Sequence, residues 1–195
     1  MIRDDITIYF VRHGETDWNA ERRYQGQRDI PLNDTGRAQA RRNGASLACL
    51  MPALASFDFV ASPLGRAVET MQIVRQELGL ERDVFTRDDR LRELSYGAWE
   101  GRLASDLAAE DPGYARRHLD PLGFRPPDGE SYADLMRRTG AWLDEVQRDT
   151  VVVSHGGVSR ALRAEILGLD GAALLSLDVP QDRVLVLRRS SVAWL

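Results

Sequence analysis

The sequence predicts an α/β domain with a mostly parallel central sheet. Three short apolar runs carry that prediction: residues 6–11 (ITIYFV), 57–61 (FDFVA) and 150–154 (TVVVS). Each reads as a strand buried on both faces, and a helical pattern follows each one, as parallel sheets require.

In chain order, the first run leads to residues 34–50, a helix interrupted by Gly36 and Gly44. The second run leads to the clearest helix, with Ser62 as N-cap and Pro63 at the first helical position. Ala67, Met71, Val74 and Leu78 recur there at helical spacing, and Gly79 supplies the stop. Residues 102–129 differ: Pro112, Pro121, Pro126, Pro127 and three glycines predict an irregular insertion with at most a short helix, lying as a lid over one end of the sheet. A Ser-x-x-Asp start at Ser131 opens a helix reaching about Arg148. After the third run, Val158, Ala161, Leu162 and Ile166 mark an inward helical face closed by Gly168. A last strand at residues 184–187 completes the core.

The 195 residues fit one domain, 1–195, with the insertion inside it. A chain of this size buries roughly 70% of its unfolded surface. With 43% hydrophobic and 29% charged residues it is not a disordered sequence. No apolar run is long enough to span a membrane and none has secretory flanks, so a cytoplasmic protein is expected. The single cysteine, Cys49, excludes an internal disulfide, and with three histidines it leaves too few soft ligands for a zinc ribbon. Cys49 itself reads as a core residue near a helix end. All 26 basic residues are arginine. Lysine Schiff-base chemistry and the lysine-bearing phosphate loop are therefore excluded. A net charge of -4 gives no reason to expect nucleic-acid binding.

Ligands bind beyond the carboxyl ends of parallel strands. The first predicted strand delivers Arg12-His13-Gly14-Glu15-Thr16 to that edge. The second delivers Ser62 to Arg66, and the third His155-Gly156-Gly157 with a helix N-terminus. Two arginines suit a phosphoryl group through charge-assisted bonds, and amides at a glycine-rich helix start add to them. A neutral imidazole is able to attack phosphorus.

Taken singly, these residues have plain structural explanations. A histidine after a strand is commonly a hydrogen-bonded surface residue, Arg66 a solvated helix residue, Glu93 half of an ion pair, and Gly156-Gly157 a tight turn. Their convergence at strand ends favours the catalytic reading.

Arg12-His13-Gly14-Glu15-Thr16 with Asn19 resembles the signature of the histidine phosphatase superfamily, in the phosphoglycerate mutase-like branch. The resemblance continues in order through Tyr24-Gln25-Gly26, Pro31-Leu32-Asn33, residues 62–70 (SPLGRAVET), residues 92–101 (RELSYGAWEG), Gly129-Glu130-Ser131 and residues 154–157 (SHGG). It implies a three-layer α/β/α sandwich with a small lid insertion. It assigns His13 as the phosphorylated nucleophile and Glu93 as the proton donor. It places Arg12, Arg66 and His155 around the phosphate, supported by Asn19, Gln25, Gly26 and Gly156. The implied chemistry is metal-independent, with no cofactor, on a small phosphorylated metabolite. Relatives being commonly dimers, the resemblance also suggests a homodimer, with no nucleic-acid or membrane partner.

Two enzymes share this machinery. By the resemblance, mutases carry a longer, arginine-rich insertion between the acid and the second histidine, and a C-terminal tail closing the site. Here the interval from Glu93 to His155 is short and the chain stops soon after the last predicted strand. Residues 94–101 also resemble the phosphatase branch. A phosphomonoesterase is therefore expected, with a cofactor-dependent phosphoglycerate mutase, primed by 2,3-bisphosphoglycerate, as the alternative. A silent phosphate-binding module is disfavoured by the intact nucleophile and acid. In the insertion, Arg116, Arg117 and Arg125 are candidates to grip a second anionic group. His118 reads as a solvated loop residue, and Tyr114 and Phe124 either pin the lid or line an apolar part of the pocket.

Overall fold

The computed structural model describes residue 3, residues 5–50 and residues 56–195. Among them, six strands form one sheet in the order β3-β2-β4-β1-β5-β6. The strands are β1 (Ile8–Arg12), β2 (Asp58–Ala61), β3 (Thr86–Arg87), β4 (Thr150–Ser154), β5 (Val184–Arg188) and β6 (Ser191–Trp194). The first four in space run parallel, and β5 and β6 are antiparallel to their neighbours. The sheet is thus mixed and mostly parallel, as expected.

Strand β4 lies in the middle and all five of its residues are buried, which explains its unbroken apolar run. Alternate residues of β1 serve opposite faces. Ile8 and Phe10 enter a core with Leu135, Leu143 and Leu162. Val11 enters a second core with Leu47, Met71 and Val74. The first face is covered by α6 (Tyr132–Asp144), α7 (Gly156–Leu167) and α8 (Gly171–Ser176), the second by α2 (Asp34–Leu50) and α3 (Gly65–Glu77). Each fully buried Leu or Met contributes about 1.5–3 kcal/mol of transfer free energy.

The helices differ from the sequence reading in instructive places. Helix α2 runs unbroken through Gly36 because that glycine is a contact surface. A Cβ on Gly14 would lie 2.2 Å from the Gly36 carbonyl oxygen, and one on Gly36 would lie 2.2 Å from that of Glu15. Helix α2 and the loop after β1 therefore touch backbone to backbone. Ser62 does not cap α3. The N-cap is Leu64, whose side chain makes no cap bond, and Asp29 Oδ1 accepts from Gly65 N at 2.8 Å instead. Helix α6 keeps its Ser131–Asp134 capping box but ends at Asp144, short of Arg148. Helix α7 ends at Gly168 in the left-handed region (φ 63°), as expected.

Residues 102–129 hold two helices, α4 (Ala104–Glu110) and α5 (Arg116–Leu119). A single turn, α1 (Asp17–Ala20), follows β1 and is fixed by a Thr16–Asn19 capping box. Cys49 is exposed, contrary to expectation. The buried stripe of α2 runs through Ala40, Asn43 and Leu47, and Cys49 falls off it. Among the described residues no helix is long and apolar enough to cross a membrane.

Candidate active site

The carboxyl ends of β1, β2 and β4 lie side by side, with Arg12 registered on Ser154 and Ala61 on Val153. His13, Ser62 and His155 follow these strands directly and are all buried. The His13 and His155 rings lie 5.1 Å apart between centroids. His13 Nδ1 lies 2.7 Å from the Gly14 carbonyl oxygen and Arg66 Nε donates toward Nε2 at 3.2 Å. A carbonyl only accepts, so Nδ1 carries the proton and Nε2 keeps its lone pair.

Arg66 is among the largest fully buried side chains. Its Nη1 donates to the Arg28 carbonyl and its Nη2 to that of Gly26, both at 2.7 Å. Gln25, with its amide bonded to Thr16, turns its carbonyl to Arg66 Nε at 2.7 Å. Arg12 is half-buried and donates to the Val179 carbonyl, while its buried Nε has no protein partner. His155 Nε2 bonds Ser62 Oγ at 2.7 Å, and its Nδ1 has no protein partner. Glu93 sits at the start of α7, where its carboxylate accepts from Gly157 N at 3.1 Å and from Leu94 N at 2.8 Å.

Electrostatics follow from burial. Desolvation, then the Arg66 and Arg12 charges, holds His13 well below the usual imidazole range. His155 is held down in the same way, by burial first and then Arg66. Burial also lowers Arg12 and Arg66 to about 10, which leaves both guanidiniums charged at neutral pH. Two neutral imidazoles thus sit beside two cations, an arrangement suited to a dianion.

A cavity of about 470 Å³ opens over this edge and brings together Arg12, His13, Asn19, Gln25, Gly26, Arg66, Glu93 and Gly156. His155 backs it through its contact with His13. The three arginines of the insertion do not converge. Arg125 pairs with Asp134 at 2.8 Å and Arg116 is exposed, so neither lines the cavity. Arg117 lies over the Tyr114 ring at 3.9 Å and lines a second, adjoining cavity of about 280 Å³, as does His118.

Sequence reasoning missed Gln181, Arg160, Tyr24 and Tyr96, which also line the main cavity. Gln181 Nε2 donates to the His13 carbonyl at 3.0 Å and to Asn19 Oδ1 at 3.1 Å. It precedes β5, and an antiparallel strand starts at the edge where parallel ones end. Arg160 stands four residues after Gly156, one helical turn along α7.

A family model described as histidine phosphatase superfamily (branch 1) matches residues 8–194. The chain belongs to this superfamily. Among curated relatives, a probable phosphoglycerate mutase GpmB of Salmonella arizonae is 37% identical over 194 residues, covering 96% of this chain and 83% of that protein. Among solved structures, a mycobacterial glucosyl-3-phosphoglycerate phosphatase determined with VO3 is 31% identical with a TM-score of 0.79, covering 97% of this chain and 96% of the other. A second, named mycobacterial hydrolase 1, is 30% identical with a TM-score of 0.80, covering 97% and 95%. For a histidine phosphatase the arrangement is chemically coherent: a neutral histidine with Nε2 unprotonated, flanking cations, and a carboxylate in the same cavity.

Proposed function

We propose that this histidine phosphatase is a phosphomonoesterase acting on small phosphorylated metabolites through a phosphohistidine on His13. The observation that carries the reading is the fixed His13 tautomer, with Nε2 unprotonated beside Arg66. The phosphoryl group is held by Arg12 and Arg66. In this proposal the Ser62 hydroxyl, 2.7 Å from His155 Nε2, donates to it, so that His155 carries its proton on Nδ1 and donates from there to the phosphoryl group. His13 Nε2 attacks phosphorus in line with the ester oxygen, and the phosphorus–oxygen bond breaks as Glu93 protonates the departing alcohol. Water then attacks the phosphohistidine, Glu93 takes its proton, and inorganic phosphate leaves with His13 restored. The guanidiniums and the His155 N–H stabilise the equatorial oxygens, so the proposed reaction requires no metal.

Hydrolysis is favoured over phosphoryl return by the insertion. A mutase has to hold a phosphorylated acid between two transfers, and here Arg125 is tied to Asp134 while Arg116 faces solvent. The solved phosphatase relative, alike over 97% of this chain, supports the same reading. The name of the 37% identical relative favours the second reading, a phosphoglycerate mutase. A cytoplasmic location accords with either.

The direct test is rapid alkaline quench with a substrate labelled in its phosphoryl group. A base-stable, acid-labile phosphoenzyme that is missing in His13→Ala is expected. Turnover with no such species, or turnover that persists in His13→Ala, would refute the proposal.

A further inference from the structure

The second cavity shares Tyr24, Tyr96 and Arg160 with the phosphate site. Consecutive residues divide between the two: Glu93 lines the phosphate cavity and Leu94 the second. An alcohol oxygen protonated by Glu93 therefore carries its carbon body toward this chamber. Scaffold and insertion build it together, with Leu94, Tyr96 and Leu175 on one side and Phe124 on the other.

Its walls are aromatic. Trp99 stacks on Phe124 with centroids 5.4 Å apart, and Tyr24 meets Tyr96 edge-on at 4.6 Å. Its polar groups are already engaged with protein. Glu130 accepts from Ser95 N at 3.0 Å and from Arg138 at 2.9 Å. Arg117 bonds the Tyr24 hydroxyl and donates to His118 at 3.2 Å. Arg160 donates to the Leu177 carbonyl at 3.1 Å and bonds the Tyr132 hydroxyl. A polyhydroxylated body would have to compete for these groups, whereas ring faces and aliphatic edges are open to contact. At about 280 Å³ the chamber lies near the lower end of ligand-pocket sizes.

We propose that this chamber is the leaving-group subsite and selects phosphomonoesters of alcohols with an aromatic or bulky apolar body. The proposal rests on the phosphatase reading for its role in turnover, but ligand binding tests it without turnover. The probes are 2-phenylethylphosphonate and ethylphosphonate, which cannot be hydrolysed and differ by one phenyl ring, titrated calorimetrically into the full chain. Burial of the ring makes the phenylethyl compound about 30-fold tighter. Phe124→Ala removes one wall, and Leu175→Trp fills the chamber from α8. Either variant reduces the preference at least about fivefold. Equal affinity for the two probes, or a preference that survives both substitutions, overturns the proposal. A preference that collapses as expected, in an enzyme that hydrolyses no monoester, upholds the subsite and removes the phosphatase reading instead.

Discussion

Arg66 Nε lies 3.2 Å from His13 Nε2, while the opposite nitrogen of the same ring is tied to the Gly14 carbonyl at 2.7 Å. One neighbour fixes which nitrogen is bare, and the other holds a positive charge beside it. Together with burial, the larger cause, that charge disfavours the imidazolium and keeps the His13 ring neutral.

Removing the Arg66 charge should therefore raise the His13 pKa, while burial still holds it down. In Arg66→Met, nitrogen-15 NMR is expected to show the His13 ring taking up its second proton at a higher pH than in the native enzyme. In the native enzyme the ring should remain the neutral Nδ1–H form across the ordinary imidazole range. An unchanged titration would show that Arg66 is not an electrostatic partner of the ring.

Glu93→Gln keeps the shape of the acid and loses its proton. The rate of phosphoenzyme formation from an alkyl phosphate should fall by about 10²–10⁴-fold. That from 4-nitrophenyl phosphate should fall far less, because its leaving group departs without protonation. Equal losses on both substrates would place Glu93 in binding rather than proton transfer.

Both buried histidines are held neutral, so below about pH 6.5 the unfolded chain binds protons that the native state does not. Stability should therefore fall as pH falls through that window, by up to about 1.4 kcal/mol per pH unit for each histidine. Asp88 and Asp134 have depressed pKa values, and their contribution is lost only below about pH 4. Urea midpoints between pH 7.5 and 5 should show the slope, and His13→Asn should flatten it. An equally steep slope in that variant would assign the protons elsewhere.

Gly14→Ala should be costly, since its Cβ would lie 2.2 Å from the Gly36 carbonyl oxygen. The backbones of helix α2 and the loop after β1 would have to part, at about 3 kcal/mol. Urea denaturation measures this directly. Activity should fall with it, because the loop also carries His13.

Residues acting through their immediate neighbours were legible in the sequence. The strands announced themselves by unbroken apolar runs, and His13, Arg66 and His155 by their places just beyond strand ends. What escaped depends on distant partners. Ser62 reads as a helix cap, yet its hydroxyl serves His155, and α3 takes its cap bond from Asp29, 36 residues earlier. Gln181 reaches the His13 carbonyl only because β5 runs antiparallel to β1. Strand β3 has two exposed residues and β6 is only half-buried, so neither carries a strong hydrophobic signal. Arg125 looked free to bind an anion until folding brought Asp134 beside it.

The most direct test of the account is phosphate release from a panel of small phosphomonoesters in EDTA, run in parallel with a phosphoglycerate mutase assay. Release without added metal, no isomerisation, and loss of release in His13→Ala are the predicted results. Isomerisation of phosphoglycerate stimulated by a bisphosphoglycerate primer, with little phosphate released, would contradict it.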